Sequence, residues 1–228
     1  MLNREQAKAF YNRFGEKQDA QAFYEDAATE DLVDHAEFGD AHEVFEMGCG
    51  TGRFAESLLQ HHLPLSAHYH GIDLSETMVE LARERLEPFD ARARVTLSNG
   101  TMALDAHDDS IDRVLSNYVL DLLPAEEIVA FLREASRVLT RDGRLCLVGL
   151  TPGSGMVAGL VSAVWKLLHR IRPQIVGGCR PLSLIDFLDQ TKWTILHRRV
   201  LTAYGISSEV IVAQPKSLEA GSGSREVV

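Results

Sequence analysis

Cysteine, proline, aromatic residues and long apolar runs are all scarce in this 228-residue chain. Three cysteines, Cys49, Cys146 and Cys179, are too few for a disulfide framework and lack the paired spacing of a zinc site, which fits a reducing compartment. The most apolar stretch, Met156 to Leu168, is too short to span a bilayer and carries Lys166. The start, Met1-Leu2-Asn3-Arg4-Glu5-Gln6, holds no apolar core of the kind a signal peptide needs, so a soluble, cytoplasmic protein is expected. Basic charge is short too: 23 Lys and Arg stand against 33 Asp and Glu, a net charge of −10, which disfavours nucleic acid as a partner. The imbalance is uneven, with 14 basic and 28 acidic groups in residues 1–150 and 9 against 5 after them. An anionic partner would therefore meet the C-terminal third.

What is present is the composition of one ordinary globular domain, 45% hydrophobic and 25% charged. From Val44 onward short apolar runs alternate with longer amphipathic ones, the pattern of strands buried between helices in a parallel sheet. Strands are expected near 42–47, 67–72, 94–98, 111–116, 144–150, 193–200 and 206–213. Helical spacing joins Phe54, Leu58 and Leu59, then Met78, Leu81, Ala82 and Leu86, then Ile128, Phe131, Leu132, Ala135 and Leu139. The link Leu201-Thr202-Ala203-Tyr204-Gly205 is too short for a crossover, so the last two strands should be antiparallel. Before the first strand, Arg4 to Ala36 reads as two helices broken near Gly15, rich in aromatics, that either pack on the sheet or cover its ligand end. Residues 1–40 are thus a helical cap, 41–214 the main domain with a helical insertion at 153–190, and 215–228 a flexible Gly/Ser-containing tail.

The most informative segment is Val44-Phe45-Glu46-Met47-Gly48-Cys49-Gly50-Thr51-Gly52-Arg53-Phe54, a strand, alternate glycines and a helix. Glycine opens backbone conformations closed to other residues and lets a ligand approach the main chain, at the carboxyl ends of the strands, where open parallel sheets bind ligands. A dinucleotide loop would need a small residue where Arg53 stands. Instead Glu46 precedes the first glycine, where its charge suits a cationic ligand group, and Asp73 ends the next strand, where it can accept both hydroxyls of a ribose. The alternatives are a plain tight turn for the glycines and a helix cap for Asp73.

Glu46-Met47-Gly48-Cys49-Gly50-Thr51-Gly52 resembles the first motif of the class I S-adenosylmethionine-dependent methyltransferases, and Asp73 falls where that family has its ribose-binding acid. Ser98-Asn99-Gly100-Thr101-Met102 is similar to the adenine-edging segment, with Asn99 where Asp is common, and Asp109 to Asn117 and Arg137 to Leu145 resemble the family's fourth strand and its turn into the fifth. The resemblance covers roughly 44–150 and implies a Rossmann-like α/β fold: an open, seven-stranded, mostly parallel sheet with an antiparallel last strand, helices on both faces and an N-terminal helical lid. It implies S-adenosylmethionine as cofactor, held by Glu46, Gly48, Cys49, Gly50, Gly52, Asp73, Leu74, Met78, Asn99, Gly100, Thr101, Asn117 and Tyr118. It also places Tyr11, Phe14, Tyr24 and Trp165 toward the acceptor.

Methyl transfer from a sulfonium is an in-line displacement, so alignment and exclusion of water come first, and a base is needed only for a protonated acceptor. Candidates are Asp121 and His35, each of which could equally serve a turn or a helix end. His61-His62 and His68-Tyr69-His70 lack nearby carboxylates at ligand spacing, so no metal is expected. Val157, Leu160, Val161, Val164, Leu168 and Ile171 form an apolar stripe beside Lys166, His169, Arg170 and Arg172. That helix is lid, core or a transient membrane-surface contact. The family's nucleic-acid amine methylases carry Pro-Pro-aromatic after the fourth strand, whereas this chain has Asn117-Tyr118-Val119-Leu120, which favours a small molecule, lipophilic or not, over nucleic acid as acceptor. Alternatives are a lipid or membrane-associated acceptor, a non-catalytic cofactor-binding subunit, or an aminopropyltransferase, whose paired-acid polyamine site has no counterpart here.

Overall fold

The computed structural model describes residues 4–153 and 179–216. The expected helix at 156–172, with Trp165 and its basic cluster, lies outside the described residues, as does nearly all of the tail.

Val44-Phe45-Glu46-Met47 buries four successive side chains, the signature of a strand covered on both faces. This is β1 (Glu43–Met47), which pairs in parallel with β2 (His68–Asp73) on one side and β4 (Ile111–Asn117) on the other. With β3 (Ala93–Leu97), β5 (Leu139–Leu150), β6 (Trp193–Ala203) and β7 (Ile206–Pro215) the sheet runs β3-β2-β1-β4-β5-β7-β6. Only β7 is antiparallel, inserted between β5 and β6, as the short link before it requires. Strand order reverses between β1 and β4, so a crevice opens at their carboxyl ends.

Helices cover both faces. α3 (Arg53–Ser57), α4 (Glu76–Leu86) and the cap helix α2 (Ala22–His35) bury Ala28, Leu32, Ala55, Val79 and Leu86 on one face with Val44, Tyr69, Val210 and Val212. α5 (Ala125–Val138) sets Ile128, Phe131, Leu132 and Ala135 against Phe45, Val114, Leu145 and Ile211 on the other. Two readings differ in detail. Leu139 opens β5 rather than ending α5, and the strand begins five residues before the expected 144, with an irregular register between Ile111 and Arg113. Leu139 is 1% exposed, and a buried aliphatic side chain suits either periodicity. The run through Leu58 and Leu59 leaves α3 as a wider π turn, Leu58–His62.

The cap begins with α1 (Arg4–Phe14) and a 3-10 stretch (Gly15–Gln21) in which Gly15 has φ +51°, the break the sequence places there. α2 is fastened by Arg113 of β4, which is 4% exposed. Its guanidinium donates to the carbonyls of Ala36 (2.6 Å) and Glu37 at the end of the helix, and to that of Asp112 (2.8 Å). Among the described residues no helix is long and apolar enough to cross a membrane.

Candidate active site

The loop after β1 stays tied to β2, because the Gly48 and Cys49 amides both donate to the Ile72 carbonyl, at 2.8 and 3.1 Å. Gly48, Gly50 and Gly52 have φ of +79°, +52° and +77°, where side chains are strained. They do different work. A Cβ on Gly48 would lie 2.2 Å from Val119 Cγ2, and one on Gly50 3.1 Å from Gln18 Nε2, so these two keep a cavity wall bare. A Cβ on Gly52 would meet the Ala82 backbone at 3.1 Å, so this glycine lets α3 approach α4.

The wall belongs to a cavity of about 490 Å³ at the carboxyl ends of β1, β2 and β4. Asp73 stands at its base, with Oδ2 accepting from the Gly50 amide at 3.0 Å and Oδ1 from the Ser75 amide at 2.8 Å. The cap of α4 is Ser75, whose Oγ accepts from the Met78 amide at 3.2 Å. Burial raises the Asp73 carboxyl above the ordinary carboxylate range, against the pull of the amides of Ser75, Gly50 and Leu74. α1 lies across the opening, strapped by Arg4 to Glu127 of α5 and by Lys8 to Glu76 of α4 at 3.1 Å.

Gly48, Gly50, Gln18, Asn117 and Tyr118 also border a second, polar recess of about 60 Å³ that contains Glu46. Glu46 is 2% exposed, and burial pushes its carboxyl up to about 7 despite hydrogen bonds from Tyr69 and Asn117. Two buried oxygens near these cavities, Gln18 Oε1 and Asn117 Oδ1, have no hydrogen-bond partner among the described residues.

Of the residues singled out from sequence, Gly48, Gly50, Asp73, Leu74, Gly100, Thr101, Asn117, Tyr118 and Tyr11 line the larger cavity, and Cys49 lines the recess. Met78 is buried on the inner face of α4, and Gly52 packs helices, so neither lines the cavity. Asn99 is exposed, and its Oδ1 accepts from the Thr101 amide at 2.9 Å and hydroxyl at 2.8 Å. Phe14 stacks on Phe10 outside the lining, and Tyr24 meets Tyr118 edge to face from behind the wall. The two base candidates also stand back. Asp121 is fully buried, its Oδ2 accepting from the Leu150 amide at 3.2 Å, and burial pushes it up to about 7. His35 is exposed at the end of α2, its ring stacked on His197 with centroids 3.6 Å apart. Asp31 joins this pair, but it accepts from Arg199 at 2.9 Å, and stacked rings direct their lone pairs along parallel planes that cannot converge on one ion. Gln18, Arg4, Lys8 and Glu127 also line the larger cavity, and no sequence pattern marks them.

Residues 44–143 match the family model described as a methyltransferase domain. Malonyl-[acyl-carrier protein] O-methyltransferase of Erwinia pyrifoliae is 30% identical over 173 residues, which are 75% of this chain and 60% of that protein. The chain therefore spans less than two thirds of that relative's length. Geranyl diphosphate C-methyltransferase from Streptomyces coelicolor, solved with Mg2+, geranyl diphosphate and S-adenosyl-L-homocysteine, superimposes with a TM-score of 0.65 at 15% identity, covering 84% of this chain and 81% of that one. The [4+2]-cyclase SpnF does so with a TM-score of 0.68 at 14% identity, covering 93% and 97%. At such identities the structures share the fold.

The residues present suit S-adenosylmethionine. Asp73 has lone pairs left for ribose hydroxyls, two glycines leave the main chain bare, and the unpartnered Gln18 and Asn117 oxygens are acceptors for an ammonium group. With the sheet order, the glycine loop and the family match, residues 44–143 are a methyltransferase domain of the class I S-adenosylmethionine-dependent kind.

Proposed function

We propose that this protein transfers the methyl group of S-adenosylmethionine to a small molecule. The observation that carries the reading is the cavity of about 490 Å³ bordered by bare glycines, by Asp73 and by Gln18 and Asn117, the two residues with unpartnered oxygens. When bound, the cofactor supplies a methyl carbon already activated by a sulfonium. The chain's own part is then to orient and to exclude water. Asp73 fixes the ribose, the Gly48–Gly50 wall admits the main chain close to the ligand, and α1 closes the opening through Arg4 and Lys8. Tyr11 and Tyr118, the aromatic side chains of the wall, border the space left for the acceptor. Net charge and the apolar wall residues Met47, Ile72, Met102, Leu122 and Leu123 support a small acceptor over nucleic acid.

Calorimetric titration with S-adenosylhomocysteine, followed by transfer of a labelled methyl group to a panel of small phenols, thiols, amines and carboxylic acids, tests this. Saturable binding with turnover of at least one class is the expected result. Absence of binding refutes the reading, and binding with no turnover across the panel makes the chain a cofactor-binding subunit instead.

A further inference from the structure

The charge of Glu46 suggests that it grips a cationic ligand group directly, and the structure gives it other work. Its Oε2 accepts from the Tyr69 hydroxyl at 2.5 Å and its Oε1 from Asn117 Nδ2 at 3.2 Å. Tyr69 can reach inward because residue 71, its neighbour on the same face of β2, is glycine: a Cβ there would lie 2.7 Å from the Tyr69 oxygen. Glu46 is opposite Gly71 on β2 and Leu115 on β4, so β1 sits between the tyrosine and the asparagine that it joins.

A carboxamide has a donor end and an acceptor end. With the Asn117 nitrogen held by Glu46, its oxygen is turned away from Glu46, and that oxygen is buried and lacks a partner among the described residues. Asn117 borders both the larger cavity and the recess, whereas Glu46 borders only the recess. Buried acceptors without donors are rare and mark places where a donor belongs. A carboxyl that burial pushes up to about 7 is, besides, a weak counter-ion at neutral pH.

Resting on the methyltransferase reading, we infer that Glu46 and Tyr69 are positioning residues: they hold the Asn117 carboxamide so that its oxygen, and not the Glu46 carboxylate, accepts the ammonium at the amino-acid end of the cofactor. Gln18 Oε1, against Gly50, is the second acceptor available to that group.

The test is calorimetry on the full chain with two ligands. S-Adenosylhomocysteine carries the amino-acid end, and 5′-methylthioadenosine lacks it. Glu46→Gln keeps an acceptor for Asn117 and a donor for Tyr69 without the charge, so its affinity for S-adenosylhomocysteine should stay within about threefold of the parent. Glu46→Leu, which frees the carboxamide, and Asn117→Ala, which removes it, should each weaken S-adenosylhomocysteine about tenfold, the low end for a hydrogen bond to a charged group. Methylthioadenosine affinity should hold in all three, and it reports that the variants fold. If Glu46→Gln falls as far as Glu46→Leu, the charge itself grips the ammonium and the inference is overturned. Equal loss of both ligands in Asn117→Ala also overturns it, because the residue is then merely structural. Should Glu46→Leu not fold, Asn117→Ala and Glu46→Gln decide. A parent protein that binds both ligands equally sinks this inference alone, and one that binds neither sinks the methyltransferase reading as well.

Discussion

Asp73 is the residue whose removal tests the site most directly. In the free protein it ties the glycine loop to the start of α4, by accepting from the Gly50 amide at 3.0 Å and the Ser75 amide at 2.8 Å. Asp73→Ala leaves two amides to be met by water in the cavity, at a cost of about 1 kcal/mol each, so stability should fall by roughly 1–2 kcal/mol. The bound state loses more. Hydrogen bonds from ribose hydroxyls to a carboxylate contribute about 1.5–3 kcal/mol, so affinity for S-adenosylhomocysteine should drop about 10- to 150-fold. Asp73→Asn keeps one acceptor oxygen but turns an NH2 toward a backbone donor, and should lie between parent and alanine. Chemical denaturation gives the first number and calorimetry the second. A normal affinity in Asp73→Ala, with the stability loss intact, would show that Asp73 only ties the loop and that the ribose sits elsewhere.

Other consequences are equally measurable. Gly48→Ala combines a backbone penalty of about 1–2 kcal/mol at positive φ with a Cβ 2.2 Å from Val119 Cγ2; ligand binding should be lost, and adding Val119→Ala should recover the steric part only. Arg113→Met leaves the carbonyls of Ala36 and Glu37 without their buried donor, and should cost about 2–4 kcal/mol in urea unfolding. A loss below that range would show that α2 is held by its apolar face alone. Burial pushes Glu25, Glu46 and Asp121 each up to about 7. Their folded values exceed their unfolded ones, so their protonation favours the folded state, and this stabilisation is lost as pH rises through about 7. The melting temperature of the ligand-free protein should therefore rise between about pH 8 and pH 5; a fall across that window would refute the raised values.

The parts of this fold that were legible in the sequence are those set by short-range chemistry. Alternate glycines after a buried strand announce the loop, since positive φ at Gly48, Gly50 and Gly52 is a local demand. The short link after β6, which the structure narrows to Tyr204 and Gly205, dictates an antiparallel pair whatever surrounds it. Leu139 was misplaced because a fully buried side chain carries no period of its own. Gln18 was invisible because an isolated polar residue in a 3-10 stretch looks the same over a ligand site as over solvent.

Glu46 shows why a residue's chemistry can be legible while its task is not. Its carboxylate, its strand and its place before the glycines are all written in the sequence, and charge alone would assign it to a cationic ligand. Its actual partners are Tyr69, 23 positions later, and Asn117, 71 positions later. They meet it only because β1 is flanked by β2 on one side and β4 on the other. Gly71 then leaves room for the phenol, and the phenol and the carboxamide together use both carboxylate oxygens. The acceptor left over for a ligand lies on Asn117, one strand away from the charge that seemed to promise it. Strand order, which no local pattern around Glu46 encodes, therefore decides which side-chain oxygen is left without a partner beside the cavity.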